Sequence, residues 1–155
     1  MISYREPMDL VRRAATADDH ALARRIHHLA YRDVVERQFG HWDEAAQDAY
    51  FDRAWHEHAH DILYLGRSTC GYAAIDVGGD SVDVHELVIL PACQGHGIGT
   101  HVLLETVAEA DRLELPVRLQ VLLENDGARR LYERLGFFEI GTTTTHRLME
   151  RTSAT

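Results

Sequence analysis

Residues 55–60 read Trp-His-Glu-His-Ala-His, so that His56, Glu57 and His60 fit the pattern H-E-x-x-H. On a helix this spacing sets two imidazoles on one face around zinc, with the glutamate as the general base of a hydrolase. A catalytic zinc also requires a third protein ligand and an open coordination position. His101 and His146 are available, but nothing around them marks either as a ligand. Eleven histidines in 155 residues make a chance match to so short a pattern easy, and a histidine at a helix end interacts well with the dipole. The segment therefore reads as a helix end that is structural or substrate-lining. No metal is expected, and a zinc hydrolase is kept only as a remote alternative.

A second stretch carries more chemistry. In LVILPACQGHGIGTHVLLETV, residues 87–107, an apolar strand runs into Pro91, then a turn with glycines at 95, 97 and 99, then an amphipathic helix. Glycines let the backbone approach a ligand closely, and a helix start offers unpaired N–H groups at the positive end of its dipole. The stretch reads as an anion cradle, most naturally for a pyrophosphate. It is not a dinucleotide fingerprint, which needs G-x-G-x-x-G in a first β-α-β unit; Val102 and Thr100 break the pattern and the loop lies mid-chain.

The preceding strand, SVDVHELVI, holds three groups able to move a proton. Simple alternation puts Asp83, His85 and Leu87 on one face and Glu86 on the other, unless a bulge brings Glu86 round to join them.

Composition narrows the options. Net charge is −9, which disfavours a nucleic-acid partner and suits a cationic or neutral one. All 16 basic residues are arginines, so a Schiff-base lysine and a G-K-[ST] phosphate loop are both excluded. Cys70 and Cys93 form neither a disulfide framework nor a CxxC pair. No apolar run approaches the ~20 residues of a membrane span, and the start, MISYREPMDL, lacks the apolar centre of a signal peptide. A cytoplasmic protein with no membrane partner is expected.

The elements that must position these groups follow from periodicity. Residues 10–15 read as a strand, and Thr16 as the N-cap of a helix carrying Leu22, Ile26, Leu29 and Ala30. A second helical stretch holds Val34 and Val35 and ends near Gly40; a third spans about 43–59. Segments 62–65, 70–77 and 81–90 read as an antiparallel meander. A helix over about 97–111, a strand at 117–123, a helix capped by Asn125 or Asp126 and closed at Gly136, and two final strands complete the chain. With no repeat or linker, this predicts one domain over residues 1–155, of α/β (α+β) class: a mixed, mostly antiparallel sheet with helices on both faces.

Gln94-x-x-Gly97-x-Gly99 after Ile89 and Pro91 resembles the acyl-CoA loop of the GNAT superfamily of N-acetyltransferases, and Asn125-x-x-Ala128-x-x-Leu131-Tyr132-x-x-x-Gly136-Phe137 resembles that superfamily's second signature. With the N-terminal helices, the resemblance covers most of the chain. It implies a splayed strand pair holding acetyl-CoA, with backbone groups of Leu87, Val88 and Ile89 pairing with the pantetheine arm. It further implies that N–H groups of Gln94, Gly95, His96, Gly97, Ile98, Gly99 and Thr100 hold the pyrophosphate, that Asn125 bonds the pantetheine, and that Tyr132 faces the thioester sulfur. Asp83 and His85 match positions that carry a base in some members, whereas Gln120 stands where others have a glutamate base.

The chemistry agrees with those roles. An amine attacking a thioester must lose a proton while a thiolate of pKa around 8.5 gains one, for which a tyrosine is a reasonable acid. The expected reaction is transfer of acetyl from acetyl-CoA to a primary amine of a small molecule, peptide or protein. In this superfamily the N-terminal helices shape the acceptor pocket, which makes Glu36, Phe39, Trp42, Tyr50 and Phe51 candidate linings. A homodimer is one assembly state the resemblance allows. An inactive CoA-binding sensor with the same fold is the alternative, and Tyr132 argues against it.

Overall fold

The computed structural model describes residues 8–154; most of the N-terminal segment read above for a leader, residues 1–7, lies outside them. Strand β1 (Leu10–Ala14) leads through a 3-10 turn (Ala17–Asp19) into helix α1 (His20–Phe39). Helix α2 (Glu44–Glu57), strands β2 (Asp61–Leu65), β3 (Ser68–Val77) and β4 (Val82–Ile89), and helix α3 (Ile98–Arg112) follow. Strand β5 (Val117–Leu122), helix α4 (Asp126–Arg134), and strands β6 (Phe138–Thr142) and β7 (His146–Arg151) close the chain.

Two expected helices are one. Residues 30–33, Ala-Tyr-Arg-Asp, contain no glycine or proline to interrupt α1, which runs until Gly40 adopts φ 82° and its N–H closes on the Glu36 carbonyl. Thr16 and Asp19 cap the entry: the Thr16 N–H donates to the Asp19 carboxylate at 2.8 Å, and Arg13 grips the same carboxylate at 2.8 and 3.0 Å. Helix α2 stops at Glu57, shorter than expected, because His58 turns extended (φ −131°, ψ 148°).

The strands form one sheet in the order β1-β2-β3-β4-β5-β7-β6. Every neighbouring pair is antiparallel except β4 and β5, so the sheet is mixed and mostly antiparallel. Helices cover both faces. Ala23 and Ile26 of α1 and Phe51 of α2 bury against Ile62, Tyr72 and Val88 on one face. Leu103, Val107 and Ala110 of α3 bury against Val82, Val84, Val117 and Leu119 on the other, where Leu131 and Tyr132 of α4 also pack. Each valine, leucine and isoleucine among them contributes about 1.5–3 kcal/mol when fully buried.

Candidate active site

Strand β4 carries one residue more than its partner β3. The register pairs Ala74 with Glu86 but Ile75 with Val84, so His85 is a bulge. The extra residue reverses alternation along the strand. Before it, Val82 and Val84 face α3; after it, Leu87 and Ile89 do, while Val88 turns to α1. Asp83 and Glu86 consequently share the α1–α2 face. Leu87, expected beside Asp83 and His85, lies on the opposite side.

At the same point β4 parts from β5. Their parallel pairing covers Val82–Val84 against Val117–Leu119 and ends there, although both strands continue. Beyond the fork, the edge of β4 that faces β5 has no strand partner, and a cavity of about 830 Å³ opens between them. Its walls come from both faces of the sheet: His27 and Tyr31 from α1, Tyr50, Arg53 and Glu57 from α2, Asp83, His85 and Glu86 from β4, Gln120 from β5, and Asn125 and Tyr132 around α4.

Glu86 dominates the electrostatics. It is only 8 % exposed, and burial raises its pKa from 4.5 to about 7. Among the described residues no group hydrogen-bonds its carboxylate. Burial likewise pushes Tyr132 up to about 12, with the Glu86 charge adding to the shift, and holds Tyr31 and Tyr72 well above their usual value in the same way. The Tyr72 hydroxyl is buried with no partner among the described residues. A carboxyl near neutrality thus faces a phenol held protonated, across the gap that splaying opens.

The other proton-moving candidates are engaged elsewhere. Asp83 accepts from the Ser81 hydroxyl at 3.0 Å. His85 Nε2 lies 3.0 Å from Asp76 Oδ2, and its ring stacks on His58 with centroids 3.7 Å apart.

The glycine loop has the geometry of an anion cradle. Pro91 opens a short 3-10 turn (Pro91–Cys93), Gly95 adopts φ 80°, and Gly97 is the left-handed N-cap of α3 at φ 81°. The N–H groups of Ile98, Gly99 and Thr100 lie in the first turn of α3, where none has an intrahelical acceptor, and among the described residues no side chain caps them. Gly95, His96 and Gly97 have no backbone acceptor among the described residues. Gln94 departs from expectation: its N–H donates to the Pro91 carbonyl at 3.2 Å and its side-chain amide to the Ile89 carbonyl at 3.0 Å. His96 folds back onto the Cys93 carbonyl at 3.1 Å. Asn125 N-caps α4, accepting from the Ala128 N–H at 3.3 Å, and lines the cavity.

Of the expected acceptor linings, Phe39 and Tyr50 reach the cavity and three do not. Phe51 is 2 % exposed and stacks on Trp55 in the core. Trp42 packs edge-on against His28 and donates to Glu44 at 2.6 Å, and Glu36 pairs with Arg32 at 3.0 Å. Reasoning along the chain missed His27, Tyr31, Arg53 and His58; only His58 carried a signal, as the middle histidine of the H-E-x-x-H stretch. That stretch does not form the site its pattern describes. Helix α2 ends before His60, which is buried against Trp55 and hydrogen-bonds the His58 carbonyl, so His56 and His60 do not share a helical face.

The comparisons with known proteins agree with this geometry. The model of the acetyltransferase (GNAT) family matches residues 23–137. A search of curated proteins finds no match. Among solved structures, the PaiA N-acetyltransferase of Thermoplasma acidophilum, in complex with coenzyme A, superposes with a TM-score of 0.72 at 15 % identity, over 94 % of this chain and 99 % of that one. An acetyltransferase of Thermus thermophilus gives 0.73 at 21 %, over 94 % and 97 %. The spermidine/spermine N-acetyltransferase SpeG of Vibrio cholerae, in mutant forms, gives 0.65 at 18 %, over 94 % and 95 %. With its family model spanning most of the sequence, the chain belongs to the GNAT family of acetyltransferases.

Proposed function

We propose that the protein transfers the acetyl group of acetyl-CoA to a primary amine by direct attack in a ternary complex. The observation that carries this reading is the pairing of Glu86, at a pKa of about 7, with Tyr132, held protonated, on one cavity at the strand fork. A base poised near neutral pH removes a proton from an amine efficiently, directly or through one water.

Acetyl-CoA fits the residues present. The free N–H groups from Gly95 through Thr100 suit its pyrophosphate, and the edge of β4 at Leu87, Val88 and Ile89, left without a strand and with only the Ile89 carbonyl taken by Gln94, suits the amide groups of the pantetheine arm. Its thioester then supplies the activated acetyl group. Glu86 takes the proton as nitrogen attacks, and Tyr132 donates one to the departing sulfur. Asp83, which lines the same cavity as Glu86, favours a cationic amine there. The acceptor is an amine of a small molecule, peptide or protein. No helix among the described residues is long and apolar enough to cross a membrane, and the reading needs no membrane and no nucleic acid.

The test is consumption of acetyl-CoA, read as free thiol, across a panel of polyamines, amino acids, aminoglycosides and peptides. Turnover with at least one amine, lost in Glu86→Gln, supports the reading. CoA binding without turnover on any amine would favour a CoA sensor instead.

A further inference from the structure

One cluster of side chains takes no part in the proton transfers assigned to Glu86 and Tyr132. His58 ends α2, Asp76 lies near the end of β3, and His85 is the bulge of β4. His58 Nδ1 and His85 Nε2 lie 3.8 and 3.0 Å from the same oxygen, Oδ2 of Asp76, and all three ligand atoms fall within 4.8 Å of one another. Donors about 2.1 Å from a shared zinc-like ion stand roughly 3.0–3.4 Å apart at angles between octahedral and tetrahedral. The His85–Asp76 spacing meets that range and the His58–Asp76 spacing lies a little beyond it.

We infer that His58, Asp76 and His85 bind one divalent transition-metal ion at the acceptor end of the cavity. Two imidazoles and one carboxylate suit zinc, nickel or copper, whereas calcium and magnesium prefer oxygen ligands. Three ligands leave coordination positions open to water or to an incoming amine. The rings now stack nearly parallel, 9° apart, and parallel rings cannot both aim an in-plane lone pair at one ion. Capture of the ion therefore fans them apart by rotation about χ2, for which side chains 23 % and 29 % exposed leave room.

The other group of this kind among the described residues, His28 with Glu44 and Asp48, is less suited. Its His28–Asp48 contact at 2.7 Å has Arg24 4.0 Å from the same carboxylate oxygen, and that cation opposes a second positive charge. A metal held by His58 and His85 would stand on the wall of the cavity that Glu86 also lines, and no residue of the glycine loop lines that cavity. It thus inhibits against the amine and not against CoA.

The site is tested by titrating untagged, full-length protein with zinc against a chromophoric chelator, a readout that does not depend on acetyl transfer. One ion per chain is expected. His58→Ala, His85→Ala and Asp76→Asn should each weaken it by more than about 100-fold, beyond the ~10- to 100-fold that losing an outer partner of a ligand costs. His56→Ala and His28→Ala should leave it unchanged. Melting in the presence of a chelator controls for folding, and His58→Gln replaces His58→Ala should the latter melt early. Retained affinity in the His58 and His85 variants, loss of binding in His56→Ala or His28→Ala, or no ion bound at millimolar zinc overturns the inference.

Discussion

Asp83 and Glu86 face the same cavity although three positions apart on one strand, because the bulge at His85 inserts the residue that brings them into phase. Without it Glu86 would point into the apolar layer beneath α3, where an ionised carboxylate is untenable. The bulge also marks where β4 leaves β5, so a single local irregularity both opens the cavity and arms it.

Glu86→Gln should cut turnover by about 10²–10⁴-fold, the usual range for a general base. The wild-type kcat/KM should rise with pH through about 7, and that limb should vanish in the variant. Unchanged turnover or an unchanged limb would assign the base to another group.

The same residue predicts a stability effect of opposite sign. Native Glu86 keeps its proton to about pH 7, whereas the unfolded chain releases it near 4.5. Between these values the native state binds more protons, so this contribution is full below 4.5 and is lost as pH rises through 7. Glu86→Gln should therefore be more stable than wild type at pH 8 by up to about 3 kcal/mol, and about equal at pH 4. Urea unfolding at the two pH values reads this directly.

His27 should act in the reverse direction. Burial, with the neighbouring His28 charge adding, lowers its pKa from 6.5 to about 4. The unfolded chain takes up a proton before the native state does, so stability falls as pH drops from 6.5 through 4, by up to about 3 kcal/mol. His27→Leu should show a smaller acid-side loss than wild type in the same unfolding series.

Tyr132→Phe should lower kcat far more than it weakens CoA binding, since only the hydroxyl is removed. A loss in the lower part of the 10²–10⁴-fold range is expected. Near wild-type turnover with a good acceptor would make Tyr132 a packing residue.

Gly97→Asp should abolish the thermal stabilisation that millimolar CoA confers on the wild type. The substitution puts a carboxylate at the N-terminus of α3, beside the expected pyrophosphate, and a side chain at φ 81°, which costs about 1–2 kcal/mol. A folded variant with wild-type CoA affinity would remove the loop from the binding site.

The elements, the glycine loop and the Asn125–Tyr132 helix were legible in the chain because their signals are local. Periodicity, caps and glycines at fixed spacing act within a few residues of one another. Glu86 was legible only as a conditional: its residue type marked it, but its face depended on a bulge, and a bulge is decided by how β4 registers with β3. Phe51 looked like a pocket lining because aromatic type does not reveal which side of a helix meets the sheet, and Trp42, in the link between α1 and α2, packs on His28 instead. His27, Tyr31 and Arg53 came into the site through the crossing of α1 and α2 over the fork, contacts between residues tens of positions apart. The H-E-x-x-H stretch failed for the same reason. Its pattern assumes a helix through His60, but β2 begins at Asp61 to pair with β3, and the chain must leave α2 early to reach it. Pairing between distant strands outweighed the local preference, and it delivered His58 to Asp76 and His85 instead.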